Sequence, residues 1–404
     1  MHHDLAVHHE LNVGRSIVRI ARWLVLITVG CWSGSVLADL PEMPESLGVI
    51  ALPDKPSGAH WVWVADFQGG AYARSVLYDA DTGDLLGMID TGWEGNKLDL
   101  PHSGDKIYNF AMYMSRGFRG ERTDVVTTYD KRTLEPLREV IVPSKGIHGL
   151  QDPNLSAISD DDRFLFMQFF TPASSIGVVD TQTNKYVGEI ETSGCAHVMA
   201  AGPRRFFTLC GNGGALAVTI GDDGKEISRQ RSATFFDPDK DPIHGSGVRS
   251  GNVWYFPSYY GRIYEVDVSG ENLIFPASWS ISELEKGLHW VPGPATQPVA
   301  VHHDKRRLYV LMHSSDLEPK GGGTDFHRED ASELWVFDLD QKSRLSRIQL
   351  KYPTGSLAVS QDASPVIYGA ALFQGIVTVY DEASGNPLRD IGIAVHPMII
   401  QPVD

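Results

Sequence analysis

Alternating apolar and polar residues recur along the chain in short runs, each followed by an aspartate, a tight turn and a second run. The apolar positions repeat with a period of two, which predicts β-strands rather than helices. Asp, Asn, Thr and Gly fill the turns because they tolerate left-handed geometry and hydrogen-bond to their own backbone. The phrase appears seven times, at Asp79, Asp130, Asp180, Asp222, Asp267, Asp338 and Asp381.

The spacing of these aspartates indicates a repetitive fold. Their mean separation is about 50 residues, which lies in the range of propeller-blade repeats. A second phrase, polar turn residues followed by a hydrophobic strand, precedes most copies, as in SDDDRFLFMQFF at 159–170. Two strands from each phrase predict an all-β, seven-bladed β-propeller of four-stranded antiparallel blades. Six or eight blades stay open because the copy at Asp222 is degenerate, and a stack of β-sandwiches is the structural alternative.

The first 38 residues have the layout of a secretory signal peptide. Three arginines precede an apolar stretch at 23–32, and VLA at 36–38 fits a cleavage site of small residues. The apolar stretch is shorter than the ~20 residues that a membrane span needs, and a signal anchor is the alternative. We therefore predict a signal peptide over 1–38 and one propeller domain over 39–404, exported and without a membrane span.

The net charge limits which partners the chain can bind, and the cysteine content predicts a disulfide. The formal net charge is −16, from 35 basic and 51 acidic residues, which argues against nucleic acid or an anionic membrane as the main partner. Removal of the signal peptide leaves Cys195 and Cys210, and in an exported protein these are expected to form a disulfide. Gly202-Pro203 between them predicts a hairpin turn that brings them opposite each other. Two buried thiols are the alternative.

No sequence motif specifies a catalytic or metal site. HExxH, Cys-x-x-Cys, the Asp-rich calcium loop, Gly-x-Ser-x-Gly and a phosphate-binding loop are missing from the sequence. The repeated aspartates are therefore interpreted as turn formers rather than catalytic pairs. The interval between Asp267 and Asp338 is long. Within it, residues 280–287 predict a short helix with a serine cap, and 316–331 predict an exposed Gly-rich extension.

Several stretches resemble a known family in collinear order from about residue 55 to the C-terminus. They are GDLLGMID at 83–90, LCGNGG at 209–214, SYYGRIYEVD at 258–267, HWVPG at 289–293 and RRLYVLMH at 306–313. The set resembles the heavy subunit of quinoprotein amine dehydrogenases. LCGNGG, SYYG and the MH before a charged insertion look closer to the aromatic (aralkyl) amine branch than to the methylamine branch.

The resemblance implies a periplasmic propeller that binds no cofactor and holds no catalytic residue of its own. In that family two heavy subunits pair with two small, cysteine-rich light subunits. The light subunit carries tryptophan tryptophylquinone and the catalytic base. The quinone oxidises a primary amine to an aldehyde and ammonia, and electrons pass to a small blue-copper protein.

The family's heavy subunit also lines the substrate channel with an aromatic residue of the first blade. Phe67 and Tyr72 are the candidates in this sequence. Between them, Gly69-Gly70 stands where the family has a bulky group, which predicts either a more open channel or closure by another group. Two rival functions stay open: a stand-alone propeller scaffold, and a propeller hydrolase or lactonase with a metal in its central channel.

Overall fold

The computed structural model describes residues 51–68, 72–93, 95, 97–146, 151–317, 330–392 and 395–403. These residues form seven antiparallel sheets in chain order, so the predicted seven-bladed propeller is confirmed. The helices among them are two single 3₁₀ turns, Pro153–Leu155 and Leu372–Gln374. The predicted signal peptide and Gly69-Gly70 lie outside the described residues.

The strands are numbered along the chain, and each sheet is one blade. Blade 1 begins with β1 (Trp61–Phe67), β2 (Ala73–Asp79) and β3 (Leu85–Gly92), and blade 2 contains β4 (Lys106–Met114), β5 (Arg122–Asp130) and β6 (Pro136–Val142). Blade 3 contains β7 (Ser156–Ile158), β8 (Phe164–Phe169), β9 (Ser175–Asp180) and β10 (Lys185–Glu191). Blade 4 contains β11 (Cys195–Ala200), β12 (Arg205–Cys210), β13 (Ala215–Ile220) and β14 (Glu226–Arg231).

The remaining blades complete the ring. Blade 5 contains β15 (Val248–Ser250), β16 (Val253–Pro257), β17 (Arg262–Asp267) and β18 (Trp279–Ser280). Blade 6 contains β19 (Glu283–Glu285), β20 (Leu288–Pro292), β21 (Val299–His302), β22 (Arg307–Ser315), β23 (Ala331–Asp338) and β24 (Ser343–Thr354). Blade 7 contains β25 (Ser356–Val359), β26 (Val366–Ala371), β27 (Ile376–Asp381) and β28 (Pro387–Gly392), and β29 (Pro397–Val403) ends the described chain.

Two blades depart from four strands. In blade 2 the innermost strand is reduced to a single bridge between Asp99 and Tyr108. Blade 6 has six strands because β19 and β20 extend it beyond β22. The blade count is therefore as predicted, while the strand number varies where the chain carries an insertion or a shortened edge.

The short helix predicted over 280–287 is wrong. The segment is a β-hairpin in which Lys286 and Gly287 form a two-residue turn with φ of 53° and 82°. Positive φ at both residues is typical of two-residue hairpin turns, because the backbone twist of such turns matches the twist of the paired strands. Pairing of β20 with β22 then fixes the hairpin on blade 6, so long-range strand pairing overrides the local serine cap. Most of the predicted extension at 316–331 lies outside the described residues.

The repeated aspartates shape the turns, as predicted. One occurs in each blade where the third strand meets the fourth, and in six blades its carboxylate accepts backbone N–H groups of the turn. In blade 4 the neighbouring Asp223 takes this role, accepting from the N–H of Lys225 at 3.1 Å. The N–H groups of Thr133 and Arg132 lower the pKa of Asp130. These carboxylates are satisfied locally by the backbone of their own turns.

Packing between neighbouring blades forms the core. The described residues contain seven buried apolar clusters, one at each interface around the ring. Alternation along a strand sends successive side chains to different interfaces. Phe206 joins the cluster shared by blades 3 and 4, and Phe207 joins the one shared by blades 4 and 5. Each such ring stabilises its interface by about 1.5–3 kcal/mol.

The ring closes by joining the two ends of the propeller in one sheet. β29 is the innermost strand of blade 1 and pairs antiparallel with β1, from Trp61 opposite Val403 to Asp66 opposite Pro397. Val62 and Val64 of β1 pack with Ile400 and with blade 7. Blade 1 is therefore completed by the C-terminal part of the chain, and no interface is left open.

The predicted disulfide is confirmed. Cys195 and Cys210 are bonded, with a Cα–Cα distance of 3.9 Å, and they are direct partners in the register of β11 and β12. The hairpin turn between these strands contains Gly202, whose φ is 136°. The bond therefore cross-links the two inner strands of blade 4.

We expect replacement of both cysteines by serine to lower the free energy of unfolding by about 3 kcal/mol, because the bond closes a loop of roughly 15 residues in the unfolded chain. Urea denaturation of the wild type and of the Cys195→Ser/Cys210→Ser variant measures this. The wild type treated with reductant is the matched control and should shift in the same direction. Two free thiols in the mass of the untreated protein would contradict the bond.

His60 links the first and last blades beside the closure. Its Nδ1 lies 2.7 Å from Oδ1 of Asp81 in blade 1, and its Nε2 lies 3.2 Å from Oδ2 of Asp362 in blade 7. Burial acts to lower the pKa of the imidazole. The hydrogen bond and charge of Asp81, with the charge of Asp362, outweigh burial, so the pKa of His60 is raised from its ordinary 6.5.

A raised histidine pKa stabilises the folded state while the ring is protonated, fully below about pH 6.5, and this contribution is lost as the pH rises through the folded-state pKa. We expect His60→Gln to lower the free energy of unfolding by about 1–2 kcal/mol at pH 6, and the difference from wild type to shrink toward pH 9. Denaturation across pH measures it. His102→Gln at an exposed ring is the control, and a pH-independent difference at His60 would contradict the linkage.

Candidate functional site

The antiparallel strand order places the connections of every blade at two opposite ends of the ring. The aspartate turns all lie at one end, here called the turn face. The connections from the second strand to the third, and from each blade to the next, lie at the other end, here called the loop face. Phe67 and Tyr72 flank the connection between β1 and β2 and therefore belong to the loop face.

Phe67 lies in a group of aromatic rings on the loop face. It is half-buried at the end of β1, and its ring centroid is 6.2 Å from that of His396. Phe373, in the β26–β27 connection, packs at 6.3 Å and nearly perpendicular to the same imidazole. Tyr72 precedes Ala73, the register partner of Phe67. We call Phe67, Tyr72, Phe373 and His396 the aromatic rim.

The carboxylate of Asp66 fixes part of the aromatic rim through hydrogen bonds to the segment that carries His396. It is 1% exposed, and its Oδ1 accepts the backbone N–H groups of Val395 and His396, each at 3.1 Å. Its Oδ2 accepts from Nε of Arg74 at 3.0 Å and from the amide of Gln68 at 2.9 Å. A buried carboxylate with four donors has its hydrogen-bonding capacity well used, so the segment before β29 is fixed against β1.

The backbone adds two more contacts between the same segments. The N–H of Phe67 donates to the carbonyl of His396 at 3.0 Å, and Nδ1 of His396 lies 3.2 Å from the carbonyl oxygen of Phe67. The outer members of the rim face solvent, Tyr72 at 70% exposure and Phe373 at 78%. Exposed aromatic side chains on a fixed support are suited to contact with a partner or an apolar ligand.

The structure places the two predicted channel residues on the same connection but in different surroundings. Phe67 contacts blade 7 through His396, whereas Tyr72 projects outward. Sequence reasoning missed Asp66, His396 and Phe373. Asp66 carried a usable signal, since it is the one charged residue in the otherwise apolar strand WVWVADF. His396 and Phe373 carried none, because they join the rim only when the ring closes.

A second polar cluster lies where blades 3, 4 and 5 approach the central channel. Nε2 of His197 on β11 is 3.2 Å from Oδ2 of Asp152, and the hydroxyl of Ser246 donates to the same oxygen at 3.4 Å. His197 has a φ of 62° at an irregular point in the register of β11. A Cβ at Gly245 would lie 2.1 Å from Cε1 of His197, so a larger residue at this position would displace the imidazole.

This cluster is not arranged for nucleophilic catalysis. A serine nucleophile requires its hydroxyl on the histidine, with the carboxylate behind that ring, whereas Ser246 and His197 both contact the carboxylate of Asp152. Asn154 also donates to the carbonyl of Gly245 at 2.8 Å, so the group ties strand β11 to the connections that lead into blades 3 and 5. No group of three or more His, Cys, Asp or Glu suited to a metal ion occurs among the described residues.

The described part of the chain contains no helix that is long and apolar enough to cross a bilayer. The fold is shared widely: a functionally unknown protein from Desulfotomaculum acetoxidans aligns with a TM-score of 0.57 at 12% identity, over 85% of this chain and 98% of that one. Identity at this level indicates a common fold and carries no functional information.

Sequence comparison is more specific. The methylamine dehydrogenase heavy chain of Methylorubrum extorquens is 27% identical over 363 residues, covering 88% of this chain and 85% of that protein. The methylamine dehydrogenase heavy chain of Methylophilus methylotrophus is 28% identical over 388 residues, covering 92% of each. The sequence model of the methylamine dehydrogenase heavy chain family matches residues 59–404, which include every blade. The chain belongs to the methylamine dehydrogenase heavy chain family.

Proposed function

We propose that this chain is the large subunit of a periplasmic amine dehydrogenase. The observation that carries the proposal is the family match over residues 59–404, from just before β1 to the C-terminus. The relatives are heavy chains by name, which implies a light-chain partner. We propose that this partner is small and cysteine-rich, and that two of each subunit assemble into a heterotetramer.

The partner supplies the redox chemistry in this proposal. Tryptophan tryptophylquinone on the light subunit oxidises a primary amine to an aldehyde and ammonia, and a blue-copper protein receives the electrons. In this proposal the heavy chain binds and orients the light subunit. Its closed ring offers a stiff platform, and the aromatic rim offers apolar side chains at fixed positions on the loop face. The full sequence has a net charge of −16, and an acidic heavy chain would attract a basic partner.

Within that assembly we propose that Phe67 and Tyr72 line the channel through which the amine reaches the light subunit. Both flank the connection between β1 and β2. The backbone of Phe67 hydrogen-bonds to His396, in the segment that Asp66 fixes before β29. An aromatic wall would bind the ring of an aryl-alkyl amine while leaving its amino group free for the partner's chemistry. This supports aromatic amines as the substrate class.

A metal-dependent hydrolase with a central-channel site is the main rival. The His197–Asp152 pair is the observation closest to it. That pair engages Ser246 and the neighbouring blade connections, and the carboxylate lies between the imidazole and the hydroxyl. A structural role in joining blades 3, 4 and 5 accounts for the arrangement better than a hydrolytic one.

Co-expression with a small, cysteine-rich light chain should yield a complex of two heavy and two light chains with a quinone absorption band. The heavy chain purified alone should be colourless and should not oxidise amines. Size-exclusion chromatography with light scattering measures the assembly, and dye reduction by phenethylamine measures activity. A solitary chain that hydrolyses lactones, or a complex without a chromophore, would count against the proposal.

Phe67→Ala and Tyr72→Ala test the channel. Loss of an aromatic contact should lower kcat/KM for phenethylamine by about tenfold while methylamine changes by less than about twofold. Phe118→Ala is the matched control, since Phe118 is 69% exposed in the β4–β5 connection and outside the rim. Equal ratios of the two substrates in all variants would remove the channel role and leave the assembly proposal standing.

A further inference from the structure

Two arginines of blade 4 form no ion pair with a described residue. Arg231 donates to the carbonyl of Ser193 and contacts the disulfide sulfurs, and Arg205 is the other. Its neighbour Arg204 pairs with Asp161 and Asp222, and Arg229 pairs with Glu226. None of the ion pairs formed between described residues includes Arg205. Its Nη1 donates to the carbonyl oxygen of Gly270 at 2.5 Å, whereas its Nη2 is buried and has no hydrogen-bond acceptor among the described residues.

A desolvated guanidinium nitrogen without an acceptor is costly, since buried polar groups are normally hydrogen-bonded and buried charges are normally paired. Burial lowers the pKa of Arg205, although the charge of Glu271 acts to raise it. The chain carries 16 more acidic than basic residues, so a carboxylate partner would be easy to supply. Arg205 therefore carries a positive charge that no carboxylate among the described residues pairs with, so an anion that reaches the accessible part of its side chain would be attracted to it.

Arg205 opens onto a cavity of about 410 Å³ between blade 4 and the β17–β18 connection of blade 5. Thr219 and Ser228 follow Arg205 across the register of β12, β13 and β14 and also line the cavity. The row thus presents a guanidinium and two hydroxyl side chains on one face of the sheet. Such a set of donors is suited to a carboxylate or another oxyanion.

Two residues further along the strands the groove stays mixed in polarity, with Arg231 and Ser232 beside apolar side chains. Ala217 and Gln230 are register partners and line both this cavity and an adjoining one of about 260 Å³. The adjoining cavity is also lined by Leu273 and Phe275 from blade 5. The two volumes together have the size and mixed polarity of a small-molecule site.

We propose that the groove between blades 4 and 5 binds a small organic carboxylate, with its carboxylate on Arg205 and its apolar part against Leu273 and Phe275. The site is independent of the aromatic rim, which belongs to blades 1 and 7. It does not rest on the proposed amine dehydrogenase activity, and it assigns this chain a ligand of its own.

Isothermal titration of the purified full chain with phenylacetate tests the proposal, and inorganic phosphate is the second arm. We expect one saturable phenylacetate site, weakened at least about tenfold by Arg205→Gln, because hydrogen bonds to a charged group are lost. Glu271→Gln should strengthen binding about two- to fivefold, because it removes a nearby negative charge that lines the same cavity. Arg306→Gln, at an arginine paired with Asp340 in blade 6, is the matched control and should bind like wild type.

The opposite responses at Arg205 and Glu271 keep the test valid if one variant folds poorly, and thermal denaturation checks the folding of each. Binding of phosphate without phenylacetate would overturn the organic carboxylate. Binding of neither probe, or equal phenylacetate binding by wild type and the Arg205 variant with Glu271→Gln also unchanged, would overturn the site.

Discussion

The packing of every blade between two neighbours is the constraint on which the rest of the structure depends. Successive residues of a strand, such as Phe206 and Phe207, enter different interfaces, so an isolated blade would expose apolar surface on both faces. Only a closed ring buries both faces of all seven sheets. The pairing of β29 with β1 provides that closure, and the rim and the groove are built where connections leave this framework.

The number of blades could be predicted from the sequence because each repeat carries a turn that is stabilised by its own residues. Each aspartate turn is stabilised by its own backbone, as at Asp130 with Arg132 and Thr133, so the signal does not depend on the remainder of the fold. In the fourth copy of the repeat the predicted turn aspartate was off by one position, since Asp223 rather than Asp222 accepts the backbone N–H of the turn. The hairpin at 283–292 could not be predicted from its own sequence, because pairing with β22 decides it and the paired residues lie twenty or more positions apart.

The candidate site was only partly predictable for the same reason. Phe67 came from a resemblance, while its supports Val395 and His396 lie 329 and 330 residues from Asp66 along the chain. No local pattern encodes a contact made by ring closure. Asp66 shows what can still be read: a charged residue in a strand buried on both faces needs several donors, and a search for them leads to the segment before β29.

Arg205 is the opposite case, because its guanidinium has more N–H donors than there are acceptors around it. The faces between blades are apolar at all seven interfaces, and the face toward blade 5 turns polar where Arg205, Thr219 and Ser228 line up. Asp66 and Arg205 therefore differ in the source of their partners. The carboxylate of Asp66 is hydrogen-bonded by its own chain, whereas the proposed partner of Arg205 is a carboxylate from outside the chain. Blades 4 and 5 share no interface with blades 1 and 7, so occupancy of the groove and contacts at the rim can be changed separately.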